Sequence, residues 1–401
     1  MNLRTIIAML SLSLGLGYAH AEDGLTVRDV IIAKDGKAVL AIEAAFESNT
    51  FFGYQLEVVL PKGISISLNG DGKPMAESHT ALDITGSILH TTSETTSYQF
   101  VATKMGNPRI PAGSYVLLTM PLETDGSLDV GDAPTGAVRN IIFSDGTQSG
   151  KTMPDIDFTV NISDVVVLDE NSPVIPLATD DEVDILVKRT ITANEWSTLC
   201  LPFDMTEQQV HAAFGPDAEL AEFDSYEVDD DGNIAVYFID TDLSDGIYGN
   251  WPYIIRTSKA IADFEVHAQI APDEESAVCE YQTGSGKKKR TVGTFTGTLH
   301  AGVTIPNEHL FLSSNNFCYS VGKTKCKAFR AYFWFEDVLP DLNGSASRIA
   351  MSFADNTTAV GQRSSGKNNP AVGIVYDLQG RGVKRPAGGI YIKSGKIFVE
   401  K

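Results

Sequence analysis

The sequence predicts an all-β protein with an N-terminal β-sandwich, a second mostly-β domain containing one short helix, and a short hairpin-like C-terminal tail. Three observations predict this class. Apolar residues alternate with polar ones in many segments, turn signals separate these segments, and one segment has a capped helical pattern. The chain has 401 residues, so we expect two or three domains.

The first predicted domain covers residues 22–165. Apolar side chains recur at every second position in 40–46, 54–60 and 156–162. Such alternation places one side of a strand in a core and the other in water, as in antiparallel sandwiches. Asn69-Gly70 and Asp145-Gly146 are turn signals between strands. These features predict a β-sandwich.

A second β-rich domain is predicted over 183–355, after a proline-containing acidic linker at 166–182. Its helix begins at Thr206, where Gln209 completes a capping box. Gly215-Pro216 ends the helix. A polar linker follows at 356–370, and the tail occupies 371–401.

Residues 1–21 have the pattern of a cleavable signal peptide. Arg4 supplies a positive start, an apolar stretch follows, and Ala19 and Ala21 form the small-x-small cleavage site. The apolar stretch is shorter than the ~20 residues that span a bilayer. We therefore expect an exported protein that starts at Glu22 and has no transmembrane segment.

The composition is strongly acidic, with 52 Asp and Glu against 31 Lys and Arg and a formal net charge of −21. Such a charge repels phosphate backbones and anionic lipid, which excludes nucleic acid and membrane surfaces as expected partners. The oligomeric state is left open by the sequence.

The four cysteines all lie in the second half of the chain, and none has CxxC spacing. Cys318 and Cys326 flank a turn-like segment around Gly322, which predicts that they face each other across a hairpin. This pair is the candidate disulfide, and buried free thiols are the alternative.

No motif assembles catalytic chemistry. The histidines have no metal-ligand spacing such as HExxH, and no GxSxG sequence indicates a serine nucleophile. We expect no catalytic residue, metal or cofactor.

Aromatic residues give a weaker signal. Phe51, Phe52 and Trp251 stand beside turn-like residues, where their rings are candidates for contact with a sugar or protein. The favoured interpretation is that such rings close the end of a β-core.

Residues 52–66, with the sequence FGYQLEVVLPKGISI, and the later segments RNIIFSDG and IDFTVNI resemble cohesin-like domains of secreted proteins. The resemblance covers about 22–165. It implies a β-sandwich of the kind shared with carbohydrate-binding modules. Cohesins dock dockerins, but this chain has a single copy and no dockerin-type DxNxDG repeat.

Two further segments carry resemblances. KRTITANEWSTLCLPFDM, GNWPYIIR and KAFRAYFWF are similar to an uncharacterised module of anaerobic gut and oral Gram-negative bacteria, here over 183–355. The tail resembles the end of type IX secretion sorting domains. Its matching positions include Tyr376, Gly380, Arg381, Gly389, Tyr391 and the basic C-terminus at Lys401.

Taken together, these features predict a non-enzymatic protein that is secreted or displayed on the outer surface of a Gram-negative cell. Its expected role is binding or adhesion, with a glycan or a protein as ligand. The alternatives are a structural part of a surface assembly and a glycan-active hydrolase.

Overall fold

The structure is a computed structural model. It describes residues 23–34, 36–106, 108–229, 234–284, 289–336 and 349–354, together with the backbone of four short strands between 375 and 400. The predicted signal peptide with Ala19 and Ala21, the linker 356–370, and the tail residues Gly380, Arg381 and Lys401 lie outside the described residues.

The chain divides into two compact units, with the boundary between Ser163 and Asp164. Among the described residues, the first unit contains twelve strands. They are β1 (Gly24–Val27), β2 (Val30–Ala33), β3 (Lys37–Phe46), β4 (Gly53–Pro61), β5 (Ile64–Ile66), β6 (Glu77–Ser78), β7 (Asp83–Thr91), β8 (Thr95–Thr103), β9 (Gly113–Thr124), β10 (Thr135–Ser144), β11 (Lys151–Thr152) and β12 (Ile156–Ser163). The second unit begins with β13 (Val166–Asp169).

Two sheets form the first unit. One has the order β1-β3-β9-β5, with β6 pairing on β9. The other has the order β2-β12-β10-β4-β8-β7, with β11 pairing on β10. The pairing of β2 with β12 is parallel, whereas β4 pairs antiparallel with both β8 and β10.

The core of this unit follows from the alternation in its sequence. Leu56 and Val58 of β4 are buried together with Phe100 of β8, and the residues between them face outward. Leu40 and Met120 supply the facing sheet. The predicted β-sandwich is therefore confirmed by the strand pairing and the buried core.

The second unit is also mostly β. Its remaining elements are β14 (Val183–Lys188), β15 (Ser197–Leu199), α1 (Glu207–Phe214), β16 (Glu219–Val228), β17 (Ile234–Asp240), a 3-10 turn (Leu243–Asp245), β18 (Tyr253–Arg256), β19 (Phe264–Ala268), β20 (Val278–Thr283), β21 (Arg290–Thr298), β22 (Val303–Thr304), β23 (Asn307–Ser313), β24 (Asn316–Val321), β25 (Lys325–Cys326), β26 (Arg330–Phe335), β27 (Ile349–Ala354), β28 (Val375–Tyr376), β29 (Gly382–Val383), β30 (Gly389–Lys393) and β31 (Lys396–Glu400).

These strands form several small sheets, with the orders β13-β14-β19, β15-β18-β16-β17-β27, β20-β21-β26-β23-β24 and β22-β25. The tail strands form a separate four-stranded sheet with the order β29-β28-β30-β31. The backbones of Tyr376, Gly389 and Tyr391 lie in its strands. Its β30–β31 pair is antiparallel, and the sheet has two more strands than the predicted hairpin.

The predicted helix is confirmed as α1. The Thr206 side chain accepts a hydrogen bond from the backbone N–H of Gln209, and the Gln209 side chain accepts one from the N–H of Thr206. Val210 and Phe214 are buried on one side, and Gly215 ends the helix with a positive φ of 96°. A capping box and an apolar stripe, both visible in the sequence, thus define this element.

The linker assignment for 166–182 requires correction. Residues 166–169 form β13, which pairs in parallel with β14. Glu170, directly after β13, is buried. The start of the predicted linker is therefore part of the second unit, because its apolar Val166 and Leu168 pack into that unit's core.

The predicted hairpin between Cys318 and Cys326 is wrong. Cys318 in β24 is opposite Phe311 of β23, whereas Cys326 in β25 is opposite Val303 of β22. Both are free cysteines. The hairpin at this point of the chain instead joins β23 to β24. Its turn is formed by Ser314 and Asn315, which both adopt positive φ.

Candidate functional site: an outer sheet face and a buried ion cluster

One surface of the first unit is the solvent side of four adjacent strands, β12, β10, β4 and β8. We call this surface the outer face. Its residues are those that alternate with the buried core positions. They are Asp157, Thr159, Asn161, Arg139, Ile142, Gln55, Glu57, Val59, Ser97, Gln99, Val101 and Thr103.

The strand register makes outer-face residues of adjacent strands direct neighbours. Val101 of β8 lies opposite Gln55 of β4, and Gln99 lies opposite Glu57. On the other side of β4, Glu57 lies opposite Arg139 of β10. The face is therefore continuous from β8 to β10.

Three of the outer-face side chains are charged, namely Arg139, Asp157 and Glu57. Arg139 forms ion pairs with Asp157 and with Asp155, the latter at 3.5 Å between Nε and Oδ2. The Glu57 carboxylate accepts a hydrogen bond from Nδ2 of Asn140. In a chain with a net charge of −21, this surface is thus mainly uncharged and polar, with Val101 38% exposed.

The outer face is large enough for a macromolecular partner. Strands of eight to ten residues extend about 30 Å, and four strands at ~4.8 Å spacing span about 20 Å. The resulting area of roughly 600 Å² matches one side of an interface at the lower end of the standard size range.

The predicted ligand-contacting aromatics are not on this face. Phe51 is only 2% exposed, and its ring packs against Phe46 and Phe143 at centroid distances of 5.2 and 5.0 Å. The prediction that Phe51 contacts a ligand is therefore wrong, because its ring closes the sandwich core. The half-buried ring of Phe52 is covered by the Arg109 guanidinium, 4.5 Å from its centroid.

Trp251 is half-buried in the second unit. Its indole Nε1 donates a hydrogen bond to Glu222 at 3.0 Å, and its ring packs against two core clusters. Phe51 and Phe52 thus belong to the first unit and Trp251 to the second.

A cavity of about 730 Å³ opens beside β1 and β11. Its lining includes Asp23, Glu47 and Lys151. Burial raises the pKa of Asp23, but hydrogen bonds from the Glu47 backbone and from Lys151 outweigh this effect and lower it overall. A general acid needs a raised pKa, so Asp23 lacks the property required of the general acid in glycoside hydrolysis.

The second unit contains a feature that sequence reasoning missed, a buried ion cluster formed by Glu170, Arg189, Lys327 and Arg330. Lys327 Nζ and Arg330 Nη2 each lie 2.8 Å from a Glu170 oxygen, and Arg189 Nη1 lies 3.6 Å away. The Arg189 side chain is completely buried. The cluster joins three segments that are far apart in the sequence.

Arg189 also satisfies backbone carbonyls. Its Nε donates to the carbonyl of Phe329 at 3.2 Å, Nη2 donates to that of Thr198 at 2.6 Å, and Nη1 donates to that of Thr190. Phe329 has a positive φ of 59°. The cluster therefore holds irregular backbone in place, which is a structural role. This role accounts for the basic residues Arg189 and Arg330 in the conspicuous segments 188–205 and 327–335.

Cys200 is a buried free cysteine of the second unit. Burial raises the pKa of Cys200 to about 12, so its thiol stays protonated at neutral pH. A Cβ atom on Gly297 would lie 2.3 Å from Cys200 Sγ, which means that only glycine fits beside this thiol. Cys200 acts as a packed apolar side chain rather than a nucleophile.

In the described part of the chain, no group of three or more His, Cys, Asp or Glu residues is placed to hold a metal ion. None of the described helices has the length and apolar character needed to cross a bilayer.

No protein-family model matches this chain, and no curated protein matches it. Among solved structures, it is similar to the sixth cohesin of scaffoldin B from Acetivibrio cellulolyticus, crystallised with a dockerin. The sequence identity is 10%, the TM-score is 0.26, and the match covers 36% of this chain and 100% of that one.

Two other similar structures are also cohesins. A non-cellulosomal cohesin from Archaeoglobus fulgidus is 8% identical with a TM-score of 0.26, covering 35% of this chain and 91% of that one. A type III cohesin module from a cell-surface anchoring scaffoldin of Ruminococcus flavefaciens is 10% identical with a TM-score of 0.26, covering 37% and 95%.

Proposed function

We propose that this chain is a non-enzymatic binding protein whose first unit uses the outer face to recognise another protein. The observation that carries this proposal is the continuous, mainly uncharged sheet surface on an otherwise strongly acidic chain. Most of its side chains are uncharged, and protein interfaces are depleted of charged residues.

A protein ligand fits the outer face better than a glycan. Sugar-binding surfaces commonly present exposed aromatic rings, whereas the side chains that form the outer face are aliphatic, amide, hydroxyl or charged. Phe51, one of the three aromatic residues predicted to contact a ligand, lies in the core.

The test is a double substitution, Gln99→Lys with Val101→Lys, in the chain without residues 1–21. Both side chains lie on the outer face, so the added charges oppose its desolvation by a partner. On arrays of purified extracellular proteins and glycans, we expect binding to a protein that the substitution weakens by roughly tenfold or more. Ala41→Lys with Ala45→Lys, on the outward side of β3 in the other sheet, is the matched control and retains binding.

Unchanged protein binding by the Gln99→Lys, Val101→Lys variant would contradict the proposal. Binding to glycans alone, with no protein bound, would equally reject a protein ligand.

We also propose that the protein acts outside the cytoplasm, at the surface of a Gram-negative cell. The proposal rests on the signal-peptide pattern of residues 1–21 and on the sorting-like sequence of 371–401. A chain ending at Pro370 is expected to keep its melting temperature and to accumulate in the periplasm. A lower melting temperature with unchanged location would show that the tail is structural instead.

A further inference from the structure

The strand β7 ends the larger sheet of the first unit. It pairs antiparallel with β8 on one side, and among the described residues no strand pairs with its other side. The backbone N–H and C=O groups along that side are therefore available to a further strand. At nine residues, β7 is longer than a typical strand, and long open edges favour pairing with another chain.

The features that normally protect an edge strand are weak here. Proteins block such edges with charged residues, proline or bulges. The segment 84–93, with the sequence ITGSILHTTS, contains no proline and no Asp, Glu, Lys or Arg. The pairing of β7 with β8 has a bulge only between Ile88 and His90, near the end of the strand. Residues 83–88 form a regular and uncharged edge apart from Asp83, which pairs with Lys104 at 3.1 Å.

Exposed apolar side chains lie along this edge. Ile88 and Leu89 are 45% and 49% exposed, which is unusual for residues of their type. A turn closed by the Leu68–Pro74 bridge approaches β7, since the Pro74 carbonyl lies 3.0 Å from the position of a Cβ on Gly86. That turn adds a further exposed apolar residue, Leu68. An open edge with apolar neighbours is a typical protein interaction site.

We infer that a second copy of this chain pairs with β7, so that two antiparallel β7 strands join the two sheets in a twofold-symmetric dimer. Two copies with a net charge of −21 each repel one another through most of their surfaces, and β7 offers a contact without opposed acids. Pairing centred on Gly86 places Ile84 beside Ile88 of the other copy, and Thr85 beside Ser87. Asp83 then faces Leu89 instead of another acid. This self-complementarity is what an isologous interface requires.

The inference goes beyond the proposed function, because it concerns the edge of the sheet and not its outer face. The test measures the association of the chain without residues 1–21 by sedimentation velocity over a range of concentrations. We expect a monomer–dimer equilibrium. Thr85→Lys with Ser87→Lys sets lysines of the two copies directly opposite each other, with Cβ atoms about 5 Å apart, and weakens the dimer roughly tenfold or more.

The matched control is the pair Gln99→Lys and Val101→Lys. These residues lie directly opposite Ser87 and Thr85, one strand further from the edge. In the dimer the β8 strands of the two copies are three strand spacings, or about 14 Å, apart, beyond the ~10 Å screening length of 0.1 M salt, so association is retained. The same control variant is the one expected to lose protein binding, which separates failure of the dimer from failure of the proposed function.

A second pair of variants tests the same contact by cross-linking, in case the lysine variants fail to fold. In a Cys318→Ser background, Thr85→Cys with Ser87→Cys is expected to form a covalent dimer on mild oxidation, whereas Gln99→Cys with Val101→Cys is not. A wild-type chain that is monomeric at every concentration would overturn the inference. So would equal association of the β7 and β8 lysine variants, or equal cross-linking of the two cysteine variants.

Discussion

At the scale of single residues, Glu170 is a buried carboxylate surrounded by three cationic side chains. Its side chain is 4% exposed and contacts Arg189, Lys327 and Arg330. Burial raises the pKa of Glu170, but the hydrogen bond from Lys327 and the charges of Arg330 and Arg189 outweigh burial and lower it to about 2. The carboxylate is therefore ionised throughout the physiological pH range.

This lowered pKa predicts acid sensitivity of the second unit. A carboxyl whose folded pKa lies below its ordinary value of 4.5 stabilises the fold above pH 4.5, and this contribution is lost as the pH falls from 4.5 towards 2. The loss amounts to roughly 3 kcal/mol. Melting temperatures measured between pH 7 and pH 2.5 should show a steep acid decrease that Glu170→Gln flattens, starting from a less stable protein at pH 7.

Glu219→Gln is the control for this prediction, because Glu219 pairs with Arg256 at an exposed surface. Exposed pairs contribute about 0–1 kcal/mol, so this variant should retain the wild-type acid profile. Identical pH profiles for wild type and Glu170→Gln would show that the cluster does not hold the unit together.

At the scale of secondary-structure elements, local sequence signals determine where a helix begins and ends, whereas distant contacts determine which strands pair. The start and end of α1 follow from residues three to four positions apart, and both were predicted. The partner of each strand depends on residues far away in the chain. Cys318 illustrates this difference, because β24 pairs backward onto β23 and not forward onto β25.

The capping box of α1 gives the prediction at this scale. Thr206→Ala removes the acceptor for the Gln209 N–H and should lower the free energy of unfolding of the second unit by about 1 kcal/mol. Thr206→Ser keeps a hydroxyl at the same position and should restore most of this loss. Chemical denaturation followed by circular dichroism measures both. Equal stability of the alanine and serine variants would show that the cap contributes nothing.

At the scale of the whole molecule, the described core residues fall into clusters on either side of Ser163. The first unit's cluster runs from Val30 to Ile162, and the others begin at Leu168. Each unit thus buries its own apolar residues, which is what independent folding requires.

Residues 22–163 are therefore expected to fold without the second unit. Expressed alone, they should give a cooperative thermal transition and the near-ultraviolet circular dichroism of packed aromatic residues such as Phe46, Phe51 and Phe143. The matched comparison is residues 164–401, expressed separately. A molten or aggregated 22–163 fragment, alongside a folded full chain, would contradict this expectation.

The β class, the sandwich of the first unit and the capped helix were predictable from the sequence alone. The reason is that alternation and caps depend on residues two to four positions apart, such as Leu56 and Val58 or Thr206 and Gln209. The outward positions of Gln99 and Val101 follow from the same alternation, although the sequence did not indicate that they belong to one surface.

The tertiary structure alone decided the buried ion cluster, the burial of Phe51 and the open edge of β7. Glu170 and Lys327 are 157 residues apart, and no local pattern relates them. Phe51 is enclosed by Phe46 and Phe143 because three separate strands or strand ends converge there. β7 is an edge because sheet order depends on which distant strands pair, and local periodicity carries no information about that order.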